Sequence, residues 1–185
     1  MWRCLPCFLA ASLLLLGCRR EPPGNLPDIP GLERVLVYAL DVPEPMEPSG
    51  LVFQNGLLLT VADKIDDTVF RVAFDGDAAR LVPHLTFTPP EPGPMDWEGL
   101  TTDPEGNLYL ISERRGRLLR VTPAGEAAWV TPDLREPAAK EGLFAKFNAG
   151  FEGVTRLGPG HWLGAVEPEP RGLVEWRIDT GPLEN

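Results

Sequence analysis

The residues of this chain that could do chemistry are acids placed at repeated positions. Two short units, Asp96–Leu100 and Gly150–Val154, each contain a Glu-Gly pair, whose glutamates are Glu98 and Glu152. Carboxylates that converge in one channel repel each other, and burial raises their pKa unless a cation neutralises them. Ca²⁺ is a hard cation that takes about six to eight oxygen ligands. Acids in this pattern are therefore candidate ligands of a calcium ion.

A third unit, Glu47–Leu51, has Ser49 where the other two units have glutamate, so the ring of acids is incomplete. Each unit is followed, 13 or 14 residues after its glycine, by a further acid. The candidate metal ligands are Glu98, Glu152, Glu113, Glu167, Asp96 and Asp63. A second interpretation stays open: these carboxylates accept backbone N–H bonds that lock neighbouring parts of the fold together.

The units recur about every 50 residues, which is the repeat length of a four-stranded propeller blade. Short apolar runs alternate with turn residues such as Asn55-Gly56, as in hairpins. The sequence therefore predicts an all-β, propeller-like fold of about three four-stranded blades, with repeats near 47–85, 96–130 and 150–181. One or two helical turns are expected in 138–147, and Trp97 is expected to face the channel.

The number of blades leaves alternatives open, because propellers usually close with four to eight. The segment Leu32–Asp41 reads as a lone strand ahead of the first blade, and in closed rings such a strand completes the last blade. Either the ring is partial, or two copies of the chain form a homodimeric ring in which each lends Leu32–Asp41 to the other. An open stack of sheets or another β fold is the remaining alternative.

The N-terminus has the pattern of a bacterial lipoprotein signal. Cys7–Leu16 is an apolar run too short to span a bilayer, and Gly17 precedes Cys18, the predicted site of lipidation. We expect a signal peptide over 1–17, the lipidated cysteine and a proline-rich tether over 18–31, and the propeller domain over 32–185. The protein is then anchored through lipid in the bacterial cell envelope, in the outer membrane if there are two, since Arg19 follows Cys18.

Charge and composition exclude several function classes. The net charge of −10 opposes binding to phosphate backbones, so no nucleic-acid partner is expected. The two histidines, His84 and His161, have no second ligand at zinc spacing. Arg114 and Arg115 are candidates for binding an anionic ligand at the mouth of the channel.

The motifs resemble those of the SdiA-regulated propellers and of the related esterase-like, phytase-type propellers. The resemblance is carried by Glu47–Leu51, by Asp96–Leu100 with Leu108–Glu113, and by Asn148–Val154, and it covers roughly Val35 to Ile178. It implies a propeller of the six-bladed type in the bacterial envelope. Its phytase-type members imply a calcium-dependent phosphoester hydrolase.

Three functions follow as expectations. The first is a binding or scaffold module at the membrane surface, with Ca²⁺ in an acidic central channel. The second is a calcium-dependent, phytase-like phosphoester hydrolase, and the third is an inactive, truncated member of the family. A polyanionic substrate needs a cationic site, yet Lys64, Lys140 and Lys146 are the only lysines and none occupies a repeated position. The first function is therefore favoured, and the sequence leaves catalysis undecided.

Overall fold

A computed structural model of the chain describes residues 36–42, 45–146, 149–167 and 170–178. The chain divides into two compact units, Met1–Val37 and Tyr38–Asn185, and every element named below lies in the second. The predicted signal peptide, Cys18 and the tether lie outside the described residues. Among the residues that are described, no helix is long and apolar enough to cross a membrane.

The predicted all-β fold is confirmed, with the strands gathered in three sheets that we call blades 1, 2 and 3. Blade 1 contains β1 (Ala39–Asp41), β2 (Pro48–Gln54), β3 (Leu57–Ala62), β4 (Ile65–Asp75) and β5 (Ala78–Thr86). Blade 2 contains β6 (Trp97–Thr102), β7 (Leu108–Ser112), β8 (Arg117–Val121) and β9 (Ala127–Trp129). Blade 3 contains β10 (Gly150–Gly158), β11 (His161–Glu167) and β12 (Gly172–Arg177).

Strand β1 differs from the expectation for Leu32–Asp41. Its three residues pair in parallel with β5, Ala39 opposite Ala78, and so extend the outer edge of blade 1 and not the last blade. The Ala39 N–H donates to the Asp77 carbonyl at 3.2 Å, and the rings of Tyr38 and Phe74 lie 4.7 Å apart. These contacts hold the strand on its own first blade. Completion of the ring by a second copy stays a prediction.

The helix also lies earlier than expected. It is a single short helix, α1 (Arg135–Lys140), whereas the sequence indicated 138–147. Pro137 is tolerated because the first turn of a helix leaves its N–H groups unpaired in any case. Gly142, with φ of +89°, lies just beyond the helix end, where a left-handed residue stops further turns.

The core consists of two apolar layers, one on each face of blade 2. Leu108 and Leu110 of β7 pack toward blade 1, whereas Tyr109 and Ile111 pack toward blade 3. This alternation follows from the two-residue period of a strand that is covered on both faces. Blade 2 is therefore the middle layer of the described structure, as a propeller blade between two neighbours is.

Trp97 is part of this packing, so the expectation that it faces the channel was wrong. Its side chain is fully buried in the layer between blades 1 and 2. Its indole Nε1 donates to the Asp66 carbonyl at 3.0 Å. A large apolar ring with one satisfied donor is more stable between two sheets than in a polar channel.

The three strands that carry the repeated units, β2, β6 and β10, approach each other at the glycines of those units. Strand β6 lies between β2 and β10. A Cβ atom on Gly50 would lie 2.8 Å from the Leu100 nitrogen, and one on Gly99 would lie 2.7 Å from the Val154 nitrogen. Only glycine permits backbone contacts this close. At Gly153, the equivalent residue of blade 3, an added Cβ would meet no atom within 4 Å.

We predict that Gly99→Ala destabilises the fold by about 1–3 kcal/mol through overpacking. Gly153→Ala is the matched control, since it is the same change at the same repeat position but in open space. It is expected to alter the free energy of unfolding by less than about 0.5 kcal/mol. Urea unfolding of both variants measures this difference, and equal losses would contradict the role given to the glycine contact.

Candidate functional site

The acids at or just after the ends of β3, β7 and β11 lie opposite the starts of β2, β6 and β10, the strands that carry the repeated units. The Asp63 N–H donates to the Glu47 carbonyl at 2.8 Å, and the Glu113 N–H donates to the Asp96 carbonyl at 2.9 Å. In blade 3 the corresponding residue, Glu167, pairs with Gly150. The spacing of 13 or 14 residues thus reflects one hairpin geometry, which brings each acid to the same end of its blade.

Glu98 and Glu152 occupy β-bulges, a feature that the sequence analysis missed. The ladder between β6 and β7 pairs Trp97 with Ser112 and then Gly99 with Ile111, so Glu98 is the extra residue. The ladder between β10 and β11 omits Glu152 in the same way. A bulge redirects a side chain, and bulges are frequent beside functional sites. A Glu-Gly pair at the start of a strand is the sequence signal that could have indicated them.

Two residues at the strand starts have unusual backbone or steric properties. Asp96 has φ of +49°, a left-handed conformation that aspartate tolerates better than most residues. Gly150 is the equivalent residue of blade 3, and the Glu113 side chain lies against its Cα, where a Cβ would clash. The carboxylate of Glu113 thus extends from blade 2 toward blade 3.

Asp63 is the most deeply buried acid of the group, with 9% of its surface exposed. Its Oδ2 accepts a hydrogen bond from Lys64 Nζ, which also lies 3.6 Å from Glu47 Oε2. Its Oδ1 is buried and has no hydrogen-bond partner. A buried carboxylate oxygen without a partner is costly, and such an atom calls for an explanation in a native fold.

The Glu98 carboxyl responds most strongly to its surroundings. Burial, followed by the nearby charges of Glu152, Asp63 and Glu113, raises its pKa from 4.5 to about 7. Burial and the charges of Glu113 and Glu167 likewise raise the pKa of Glu152. Carboxylates from all three blades therefore act on one another.

The carboxyls of Asp96 and Glu113 show the same effect. Burial first, then hydrogen bonding with the Asp63 carboxyl and its charge, raise the pKa of Asp96. Burial and the charges of Asp96 and Asp63 raise the pKa of Glu113. We call the six carboxylates the acid cluster; its members are Asp63, Asp96, Glu98, Glu113, Glu152 and Glu167. Within the described residues, none of the Glu98, Glu113 and Glu152 carboxylates accepts a backbone N–H bond, so the blade-locking interpretation lacks its contacts.

The carboxylates of the acid cluster influence one another's pKa values, but they are not arranged around a single point as metal ligands are. In the part of the chain that the structure describes, no three Asp, Glu, His or Cys side chains are already placed to hold one metal ion. The donor set is nevertheless all oxygen, which suits a hard cation. Side chains such as Glu98 and Glu113 would have to turn toward Asp63 Oδ1 to surround an ion.

The side chains of the two arginines proposed as ligand-binding residues contact different parts of the fold. Arg114 Nε is 3.7 Å from Asp96 Oδ2, at the rim of the acid cluster, with 59% of its side chain exposed. Arg115 instead donates from Nη2 to the Pro92 carbonyl at 2.7 Å, and its Nε lies 3.4 Å from Glu91 Oε1. Arg115 therefore fastens the proline-rich loop between β5 and β6, while Arg114 remains available at the cluster.

Comparison with solved structures gives distant similarities. One is a catalytically inactive virginiamycin B lyase from Staphylococcus aureus bound to quinupristin, with 13% identity and a TM-score of 0.43 over 74% of this chain and 43% of that one. Another is a streptogramin B lyase, with 12% identity and a TM-score of 0.42 over 71% and 41%. The chain thus spans less than half the length of these proteins, and similarity of this extent says nothing about its activity. Among curated proteins, no sequence matches.

The family comparison covers most of the folded part. The model of the phytase-like family, described as "Esterase-like activity of phytase", matches residues 47–172. That range includes all three repeated units and the whole acid cluster. The chain therefore belongs to the phytase-like family with the esterase-like domain of phytase.

Proposed function

We propose that this protein is a binding module of the bacterial cell envelope, anchored through lipid on Cys18, that binds Ca²⁺ at its acid cluster. The sequence of residues 1–31 supports the proposed anchor and localisation. The geometry of the three blades supports the proposed calcium site. In this proposal the ion completes a surface on which a ligand or partner is held, and no reaction is required.

The observation that carries the proposal is the unpartnered oxygen Asp63 Oδ1. It is buried beside Asp96, and interaction with the Asp63 carboxyl is, after burial, a cause of the raised pKa of Asp96. Two ionised carboxylates cannot hydrogen-bond to each other, so a cation or another donor is the partner that would satisfy this oxygen. Ca²⁺ satisfies such an oxygen and also reduces the repulsion between neighbouring acids.

Calcium should therefore stabilise the fold. At about 100 times its Kd the ion adds about 2.7 kcal/mol to the free energy of unfolding, or roughly 5–10 °C in Tm for a chain of this size. Asp63→Asn should weaken binding by at least about tenfold, because affinity follows the charge of the ligands. Calorimetric titration and thermal unfolding of the detergent-purified protein, in calcium and in EDTA, measure both effects.

The matched control for this experiment is Asp77→Asn, which removes the same charge from an exposed turn of blade 1. It should leave calcium affinity unchanged. If EDTA has no effect on Tm and calcium gives no heat of binding, the site does not bind calcium. Equal losses in the two variants would indicate an effect of net charge alone.

Catalysis of phosphoester hydrolysis is the second candidate, and membership of the phytase-like family is the observation that favours it. A bound calcium ion would polarise the phosphoryl group. Lys64 and Arg114, which contact Asp63 and Asp96, are the cations that could receive the negative substrate. Glu98 is the candidate general acid or base, because its pKa of about 7 suits proton transfer near neutral pH.

If the protein is a phosphoesterase, it should hydrolyse p-nitrophenyl phosphate in calcium and lose that activity in EDTA. Glu98→Gln should lower kcat by about 10²-fold or more, since it removes the titrating group. Glu105→Gln, a change in an exposed turn, should not. Calcium binding without turnover would leave the binding module as the function, and absence of both would favour an inactive family member.

Ionisation of the acid cluster predicts an unusual pH dependence in EDTA. The pKa of Glu98 is about 7 in the folded chain and ordinarily 4.5, so the folded state holds a proton that the unfolded state has lost. The free energy of unfolding should therefore fall as pH rises from about 4.5 to 7. Urea unfolding across that range measures the slope. Glu98→Gln should flatten it, and a slope of the opposite sign would show that the acids do not repel in the folded state.

A further inference from the structure

We propose that Lys64 is an internal competitor for the cation: its ammonium group neutralises the Asp63 carboxylate when no ion is bound, and the ion displaces it. This inference rests on the proposed calcium site. Asp63 and Lys64 are the two central residues of the hairpin turn between β3 and β4. Lys64 is thus tethered beside the carboxylate that it neutralises, and its Nζ donates to Asp63 Oδ2.

The second blade carries a weaker version of the same arrangement. There the acid and base are Glu113 and Arg114, at the equivalent turn between β7 and β8. Arg114 Nε makes no direct hydrogen bond to the cluster and lies 3.7 Å from Asp96 Oδ2. In the third blade Pro168 follows Glu167, so no base stands at that position. The competing charge is therefore concentrated on Lys64.

Lys64 also has a place to which it can move. It lines an open cleft of about 600 Å³ between the start of β4 and the proline-rich loop, and the other acids of that cleft are Asp66, Asp67 and Glu91. Its side chain is already 43% exposed. A displaced ammonium group would stay near negative charge in the cleft and remain in contact with water, so displacement does not bury an unpaired cation.

Displacement is expected because a divalent ion serves the cluster better than an ammonium group does. The ammonium group satisfies Asp63 Oδ2 and leaves Oδ1 without a partner. A calcium ion can take both oxygens of one carboxylate and further oxygens from neighbouring acids. Lys64 thus offsets the charge of Asp63 until the ion arrives, and it sets the calcium concentration at which the site fills.

The direct test is the reactivity of the lysine amines. The chain has three lysines, and Lys140 is an internal control because it pairs with Glu136 on the short helix. Acetylation with an N-hydroxysuccinimide ester, followed by peptide mass spectrometry, gives the rate at each site. Adding calcium should raise the rate at Lys64 about threefold or more as the amine leaves its carboxylate, while the rate at Lys140 stays constant.

Variants provide the second test. Lys64→Met should tighten calcium binding about tenfold. This factor corresponds to the lower end of the range for a hydrogen bond to a charged group, which applies because the Lys64–Asp63 pair is partly exposed. Lys64→Arg keeps the charge and should bind calcium with the affinity of the wild type, whereas Lys140→Met should leave the calcium affinity unchanged. In EDTA the Met variant should unfold at a lower temperature than the wild type, and calcium should remove that deficit.

The possible failures are distinguishable. If wild-type protein does not bind calcium, the proposed calcium site and this inference fail together. If calcium binds but neither the reactivity of Lys64 nor the affinity of Lys64→Met changes, the inference alone is overturned and Lys64 is an ordinary surface ion pair. A Met variant that binds calcium more weakly would show that Lys64 supports the site and does not compete for it.

Discussion

The close contact of β6 with β2 on one side and with β10 on the other is the constraint on which the rest of the structure depends. At Gly50 and Gly99 the backbones approach to distances that exclude a Cβ atom. This contact aligns the three sheets, so each hairpin delivers the acid that follows its second strand to the same end. It also brings the bulged residues Glu98 and Glu152 close enough to repel each other. In blade 2, Gly99, which packs against blade 3, and Glu98 before it therefore act as one unit.

Such an arrangement opposes the folded state whenever no cation is present. Burial and mutual repulsion raise the pKa values of four acids of the cluster, Asp96, Glu98, Glu113 and Glu152. The interior apolar layers on both faces of blade 2 supply the stability that tolerates this, since Trp97, Phe151 and Ile111 are fully buried. Natural proteins retain unfavourable groups of this kind mainly where they serve a function.

The sequence predicted those features that follow from a repeat or a period. The strands of the blades and the shared end of Asp63, Glu113 and Glu167 follow from spacing alone. Features set by contacts between distant residues were not predictable. The Trp97 indole donates to the Asp66 carbonyl, 31 residues away, and β1 lies on blade 1 with Tyr38 against Phe74. The bulges at Glu98 and Glu152 arise where two strands pair, so the alternation within one strand does not show them, and the Glu-Gly pair at each strand start is their local signal.

A buried acid elsewhere in blade 2 has surroundings that differ from those of the acid cluster. Asp103 is as buried as Asp63, but both its oxygens accept hydrogen bonds, from Asn107 N, Asn107 Nδ2 and the Tyr109 hydroxyl at 2.8–2.9 Å. These donors hold the pKa of Asp103 below its usual range despite burial. Asp103 is thus surrounded by donors that lie close to it in sequence. Asp63 has Lys64 as a donor to one oxygen and no partner for the other, and the acids Asp96, Glu98 and Glu113 lie close enough for its charge to raise their pKa values. Hydrogen bonds therefore offset the burial of Asp103 at both oxygens, whereas the burial of Asp63 is offset at only one.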